Sequence, residues 1–314
     1  MASDVLISGI SGFIGSNLTA YLLQNSEMNL SGCSRDLDKI KHLEGDIHSI
    51  YSNDEIFSIK PSFQSYVHLS GKVYDMHDKK NEDEYFEANF QLTKKFFQNF
   101  IDDKTSKNFI FLSTIHVLTE NPEKELDESY NPKPFTPYGK SKFKAENFIR
   151  DNCPPDKNYY ILRPSMIHGP GNKGNLNLLY NLVSKGIPYP VGAFNNKRSF
   201  VSIENLCFII QQIIENAIPE GLYHISDDEP TYTHDLVKMI AQTTNKKGRI
   251  WYVPPSLLNF AAKIGNHIPF VLNEHRLKKL TGDFIVSNEK IKKAIGKPLP
   301  IRAREGLENT LKSL

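Results

Sequence analysis

What most limits the fold of this chain is a short apolar run that ends in spaced glycines, Val5-Leu6-Ile7-Ser8 and then Gly9-Ile10-Ser11-Gly12-Phe13-Ile14-Gly15. An apolar run stopped by glycine reads as a buried parallel strand. Ile14, Leu18 and Leu22 then recur at helical spacing, so a helix follows the turn directly. Residues 30–34, 66–69, 109–112 and 159–162 read as further strands, separated by helical stretches such as residues 84–100. Strands alternating with helices predict an α/β fold on a doubly wound parallel sheet. Ligands of such sheets collect at the carboxyl ends of the strands.

The chain of 314 residues is long enough for one large domain or two medium ones. After Arg163-Pro164 prolines and glycines crowd the sequence, which sets a nucleotide-binding domain at 1–165 and a smaller substrate domain at 166–314, with a return of the chain to the first left open. In the second part Leu206, Ile210, Ile213 and Ile214 make a helical stripe, another helix begins near Pro254-Pro255, and residues 291–295 read as the last helix before the tail. Lysine and arginine total 38 against 36 acids, so no broad basic footprint for nucleic acid exists. Cys33, Cys153 and Cys207 are scattered, which fits free thiols better than disulfides or zinc. With no apolar run near ~20 residues and no leader-like start, the expectation is a cytoplasmic protein without a membrane partner and without a metal.

The glycine loop sits where a pyrophosphate would rest on a helix N-terminus, in G-x-x-G-x-x-G spacing. The backbone of Gly9, Gly12, Phe13, Ile14 and Gly15 is the expected cradle for a dinucleotide. The second strand ends in Cys33-Ser34-Arg35-Asp36. Ser34 and Arg35 suit a 2′-phosphate and tilt the reading towards NADP, while Asp36 keeps NAD open. Asp46, followed by Ile47, is placed to meet the adenine. Tyr138 and Lys142 stand four residues apart, on one face of a helix that Thr136 caps and Pro137 opens. An ammonium against a phenol lowers the phenol's pKa, the condition for a proton shuttle.

These motifs, in this order, resemble those of the extended short-chain dehydrogenase/reductase family, in its NAD-dependent epimerase/dehydratase branch, over nearly the whole chain. Matching elements are the glycine loop, Asp46-Ile47, His68-Leu69-Ser70-Gly71, Asn89, Ser113-Thr114, Tyr138/Lys142, Arg163-Pro164 and Gly169-Pro170-Gly171. The resemblance implies a Rossmann domain and a catalytic set of Thr114, Tyr138 and Lys142. It also implies cofactor contacts from Leu69, Ser70, Gly71, Asn89 and Arg163, besides Tyr138 and Lys142. Arg198 maps onto an arginine that binds the substrate's diphosphate. Asn175 is a second candidate contact and Arg276 a third.

Family dehydratases carry an Asp-Glu pair after the catalytic threonine; Ile115 and His116 stand there instead, which argues against a 4,6-dehydratase. What the resemblance leaves is a 4-keto-6-deoxy sugar reductase acting on a UDP-N-acetylhexosamine-type sugar, the reading Ser34-Arg35 favours, or a UDP-sugar 4-epimerase that retains its NAD. The intact triad argues against a dinucleotide sensor without catalysis. A homodimer is expected, because Tyr85, Phe86, Phe90, Phe96, Phe97 and Phe100 give one helix more aromatic surface than a core face needs.

Overall fold

A computed structural model describes residues 3–73, 82–172, 175–266 and 273–314. The first half runs β1 (Asp4–Ser8), α1 (Phe13–Asn25), β2 (Asn29–Ser34), β3 (Ser49–Ser52), α2 (Asn53–Ile59), β4 (Ser65–His68), α3 (Glu82–Phe86), α4 (Leu92–Asp102), β5 (Asn108–Leu112), α5 (Pro137–Asn152) and β6 (Asn158–Pro164). The second half runs β7 (Met166–His168), α6 (Asn175–Ser184), β8 (Lys197–Arg198), β9 (Phe200–Ser202), α7 (Ile203–Glu215), β10 (Gly221–Ile225), β11 (Thr231–Tyr232), α8 (Thr233–Thr243), α9 (Pro255–Gly265), α10 (Glu274–Thr281), α11 (Glu289–Ile295) and α12 (Ala303–Lys312).

Seven strands form one sheet in the order β10-β6-β5-β4-β1-β2-β3, paired in parallel throughout. It is a Rossmann-type doubly wound sheet, apolar on both faces. Val5, Ile7, Ile110 and Leu112 turn to the side covered by α1 and α7; Leu6, Phe109 and Phe111 turn to the side covered by α2, α4 and α5. Period-two burial of both sets explains why these strands read as unbroken apolar runs. The winding reverses between β1 and β4, which opens a crevice at their carboxyl ends.

Beyond residue 165 the chain does cross back. α7 packs on α1, and β10 pairs with β6 as the seventh strand, so a single cut at 165 does not divide the molecule into two separate units. A second core, with Val191, Phe200, Ile240, Leu258, Leu277, Leu307 and Leu311, holds the cap together. Leu307 and Leu311 belong to α12, a helix after the one expected to be last.

Residues 84–100 are helical but not one regular helix: a π turn over Glu87–Gln91 separates α3 from α4. The aromatic surplus assigned to a partner is absent. Tyr85, Phe90, Phe96, Phe97 and Phe100 are buried and Phe86 is half-buried, packed in edge-to-face pairs such as Phe97–Phe109 at 4.9 Å. The aromatic argument for a homodimer therefore falls. The three cysteines are free, and no described helix is long and apolar enough to cross a membrane.

Candidate active site

The glycine loop follows β1 into the crevice. Gly9 adopts φ +72°, and a Cβ there would come within 2.8 Å of the Ser70 amide nitrogen. A Cβ on Gly15 would come within 2.3 Å of the Gly9 carbonyl oxygen. No side chain caps α1 at Gly12, so the first-turn N–H groups of Phe13 and Ile14 have no intrahelical partner. A tight glycine cradle at an uncapped helix start fits a dinucleotide pyrophosphate. Gly169, after β7, lies across this loop, where an added Cβ would stand 3.4 Å from Phe13 Cζ.

At the β2 end the Ser34 hydroxyl is already engaged. It pairs with Ser11 Oγ at 3.0 Å, accepts the Asp36 amide at 3.2 Å and meets the Asp36 carbonyl at 3.0 Å. That closes a local turn and removes the hydroxyl assigned to a 2′-phosphate. Arg35 is exposed, and Asp36 pairs with Lys39 at 3.2 Å. Asp46 lies exposed on a turn, and Ile47 packs into the core beneath it.

Beside this, the β4 end is tied down by a buried polar chain. The Ser70 amide donates to Ser8 Oγ at 3.3 Å, and Ser8 Oγ meets His68 Nδ1 at 2.6 Å. His68 Nε2 meets Thr93 Oγ1 at 3.0 Å, and Thr93 donates to the Asn89 carbonyl at 2.7 Å. Since Thr93 spends its proton on that carbonyl, His68 donates from Nε2 and accepts at Nδ1, a neutral imidazole. Burial, and then the Lys142 charge, hold its pKa well below the ordinary histidine value. Leu69 is half-buried next to it.

Asn89 sits in the π turn, fully buried. Its Oδ1 accepts the Lys72 amide at 2.8 Å, while Nδ2 donates to the Lys72 carbonyl at 3.0 Å and to Ser141 Oγ at 3.1 Å. The amide expected to touch cofactor instead clamps the loop after β4 to α5.

α5 starts as the sequence dictates, with the Thr136 hydroxyl accepting the Gly139 amide and proline in the first turn. It carries Tyr138 and Lys142 to the ends of β4 and β5. The Tyr138 hydroxyl comes beside Thr114, two residues past β5, whose side chain lowers the phenol's pKa. Lys142 is buried, donates from Nζ to the Leu112 carbonyl at 3.0 Å and rests 4.8 Å over the Phe111 ring. A Cβ on Gly71 would lie 3.2 Å from that nitrogen. Thr114, Tyr138, Lys142 and Gly71 thus gather at the ends of β4 and β5.

The electrostatics differ from the sequence expectation. Tyr138 is pushed up to about 12, first by the protein packed around it and then by Tyr85, against a lowering bond from Thr114. Lys142 is drawn down to about 8 by burial, against the upward pull of Glu146. The ammonium's bond goes to a carbonyl, and the lowering influence on the phenol comes from Thr114.

Arg163 meets a carboxylate inside the fold. Its guanidinium donates from Nε and Nη2 to Glu146 Oε1 and Oε2, at 3.0 and 2.6 Å, and both residues are buried. Ser113 Oγ donates to the same carboxylate. The two-point pair locks α5 to β6, one helical turn below Lys142. Glu146 escaped the sequence reading although it continues the Tyr138/Lys142 face at i+4, the signal that reveals it.

On the cap side, Arg198 is half-buried and donates from Nη2 to the Lys279 carbonyl on α10. Lys279 Nζ pairs with Glu120 at 3.2 Å, and His275 Nε2 stands 3.4 Å from the same carboxylate. His116 sits between these groups and Thr114. Its ring has an exposed face, and crowding, then Lys279, bring its pKa down to about 4 despite Glu120. Arg276 is exposed on α10, where its amide donates to the Asn273 side chain. Asn175 opens α6, but its side chain lies outside the described residues.

Residues 5–226 match the NAD dependent epimerase/dehydratase family. The chain belongs to that family. It is 30% identical to a UDP-glucose 4-epimerase of Vibrio cholerae, covering 99% of this chain and 95% of the relative. Over 93% of this chain and 86% of the relative it is 28% identical to an N-acetyl-α-D-glucosaminyl-diphospho-ditrans,octacis-undecaprenol 4-epimerase of Escherichia coli O157:H7. Its fold is that of a Bacillus cereus UDP-glucuronic acid 4-epimerase solved with UDP-glucuronic acid and NAD, at TM-score 0.78 and 18% identity over 99% and 98% of the two chains. This epimerase/dehydratase is accordingly an enzyme.

Proposed function

We propose that the enzyme is an NAD-dependent 4-epimerase of diphosphate-linked hexoses, with UDP-N-acetylhexosamines as the first substrates to test. The observation that carries the reading is the Tyr138 hydroxyl, set beside Thr114 and grouped with Lys142 at the strand ends near the glycine cradle. Gly9, Gly12, Phe13, Ile14 and Gly15 would hold the pyrophosphate, with Asp46 and Ile47 nearer the adenine. The engaged Ser34 hydroxyl favours NAD over NADP and takes weight from the reductase reading. Epimerases among the relatives add to the same side.

A bound NAD supplies reversible hydride acceptance at the sugar carbon. Tyr138 takes the proton of the 4-hydroxyl and later returns it to the ketone oxygen from its fixed place. Thr114 donates its one hydroxyl proton to the phenolate form of Tyr138 and so holds that oxygen in place. Lys142 keeps a positive charge close to the site at neutral pH and orients the cofactor ribose. Arg198 meets the substrate diphosphate through its free edge, with Asn175 and Arg276 as further contacts. Ile115, buried where a dehydratase carries an acid, has no proton to exchange.

Purified enzyme given UDP-GlcNAc, UDP-GalNAc or UDP-glucose, with no added cofactor, should interconvert a C4 pair. Inertness towards all of them, with oxidation of NADPH or NADH on a 4-keto-6-deoxy sugar nucleotide, overturns the reading in favour of a reductase. Thr114→Val should lower kcat roughly 10- to 100-fold, the worth of a hydrogen bond to a charged oxygen. Because Thr114 lowers the Tyr138 pKa, its loss raises that pKa, and the rising limb of the pH–rate profile should move to higher pH. An unmoved limb argues against Tyr138 as the titrating base.

A further inference from the structure

α9 has two apolar faces where a cap helix needs one. Leu258, Ala262 and Gly265 form the buried seam, packed on the cap core and α10. Leu257, Phe260 and Ile264 recur at i, i+3 and i+7 on the opposite face and are 57%, 62% and 47% exposed. Trp251 and Tyr252, just before the helix, add exposures of 57% and 69%, and Leu280 of α10 adds 45%. The two aromatic residues stand on fixed backbone: the Trp251 amide donates to the Tyr189 carbonyl at 2.9 Å, and the Trp251 carbonyl accepts the Gly192 amide at 3.1 Å.

The charge around this patch is mostly positive, with Glu274 of α10, bonded by the Asn266 side chain, as the acid beside the end of α9. From residue 236 to 273 the sequence holds no Asp or Glu but carries Lys246, Lys247, Arg249 and Lys263, besides Lys238, which pairs with Asp235 at 3.0 Å. α10 adds Arg276 and Lys278 on its exposed side. A rim of lysine and arginine around tryptophan, tyrosine, leucine and phenylalanine is the composition of a helix lying in the headgroup region of an anionic bilayer. A stripe meant for another copy of a near-neutral protein would have little use for an excess of positive charge.

We infer that the exposed face of α9, with Trp251 and Tyr252, docks this enzyme on an anionic membrane surface without crossing it. α10 ties the docked face to the site, since it carries Lys279, whose carbonyl holds Arg198 and whose amine pairs with Glu120. The inference stands apart from the epimerase reading, as lipid binding is measured without turnover.

The test is co-sedimentation of the full chain with vesicles of phosphatidylcholine alone or mixed with phosphatidylglycerol, at low and high salt. Binding is expected to the mixed vesicles and to weaken with salt. Leu257→Glu/Phe260→Glu should cut partitioning about tenfold or more while sugar turnover in solution persists. Lys246→Gln/Lys247→Gln should weaken binding only on anionic vesicles. Absence of binding to mixed vesicles at low salt overturns the inference. So does a solution dimer that Leu257→Glu/Phe260→Glu converts to monomer, because a second copy then covers the face.

Discussion

Replacement of Tyr138 by phenylalanine is expected to lower kcat by about 10² to 10⁴-fold, the usual worth of a positioned acid–base group. The ring keeps its edge-to-face contact with Tyr85 at 6.3 Å, so the pocket wall stays intact. NAD affinity, followed by titration of the purified variant, should change little, because the glycine cradle and Lys142 are untouched. The Thr114 hydroxyl loses its partner and turns to solvent or substrate. A variant that retains rates within a few-fold of the parent assigns proton transfer elsewhere, and the exposed face of His116 becomes the first place to look.

Arg163→Met should cost about 3–5 kcal/mol of stability, as it leaves the Glu146 carboxylate buried without its charge partner. Thermal unfolding would then begin on the order of 10 °C lower. Pairing it with Glu146→Leu should recover most of the loss, since a buried ion pair replaced on both sides by apolar groups is often neutral. Activity tells the support role apart from mere stability. Removing the Glu146 charge takes away the influence that raises the Lys142 pKa, so that amine loses its proton at a lower pH than in the parent. The double variant should therefore fold well yet show its alkaline loss of rate shifted downward. An unchanged profile in a stable double variant would confine the pair to holding α5.

The parts of this site that were legible in the sequence are those set by local chemistry. Gly9 and Gly15 announce a cradle by spacing alone, and their added methyl groups have nowhere to go. Thr136 and Pro137 start α5 by satisfying or lacking the amides that a first turn leaves open. Tyr138 and Lys142 share a face because helical geometry puts them there. What stayed hidden depends on partners distant in sequence. Lys142 donates to Leu112, thirty residues earlier, and that choice takes the charge off the phenol. Arg163 gave no sign of its partner, because Glu146 meets it only once α5 packs on β6. Ser34 looked available until Ser11 and Asp36 closed on it. β10 was missed because Gly-Leu-Tyr-His-Ile is a poor strand signal, and its partner β6 lies some sixty residues back. The π turn at Glu87–Gln91 leaves no mark in the residue pattern, although it sets the Asn89 clamp.

The late return of α7 and β10 has a consequence for biosynthesis. On a ribosome the Rossmann sheet stays one strand short until residue 225 has left the exit tunnel, with β6 as a bare edge and the greasy side of α1 uncovered. Nascent chains stalled before that point should attract holding chaperones or clump, and those released beyond it should close the sheet at once. Whatever timing cell physiology imposes on this gene product, only the first stretch of its cap is born before the nucleotide fold can finish, and α8, α9, α10 and α12 arrive afterwards.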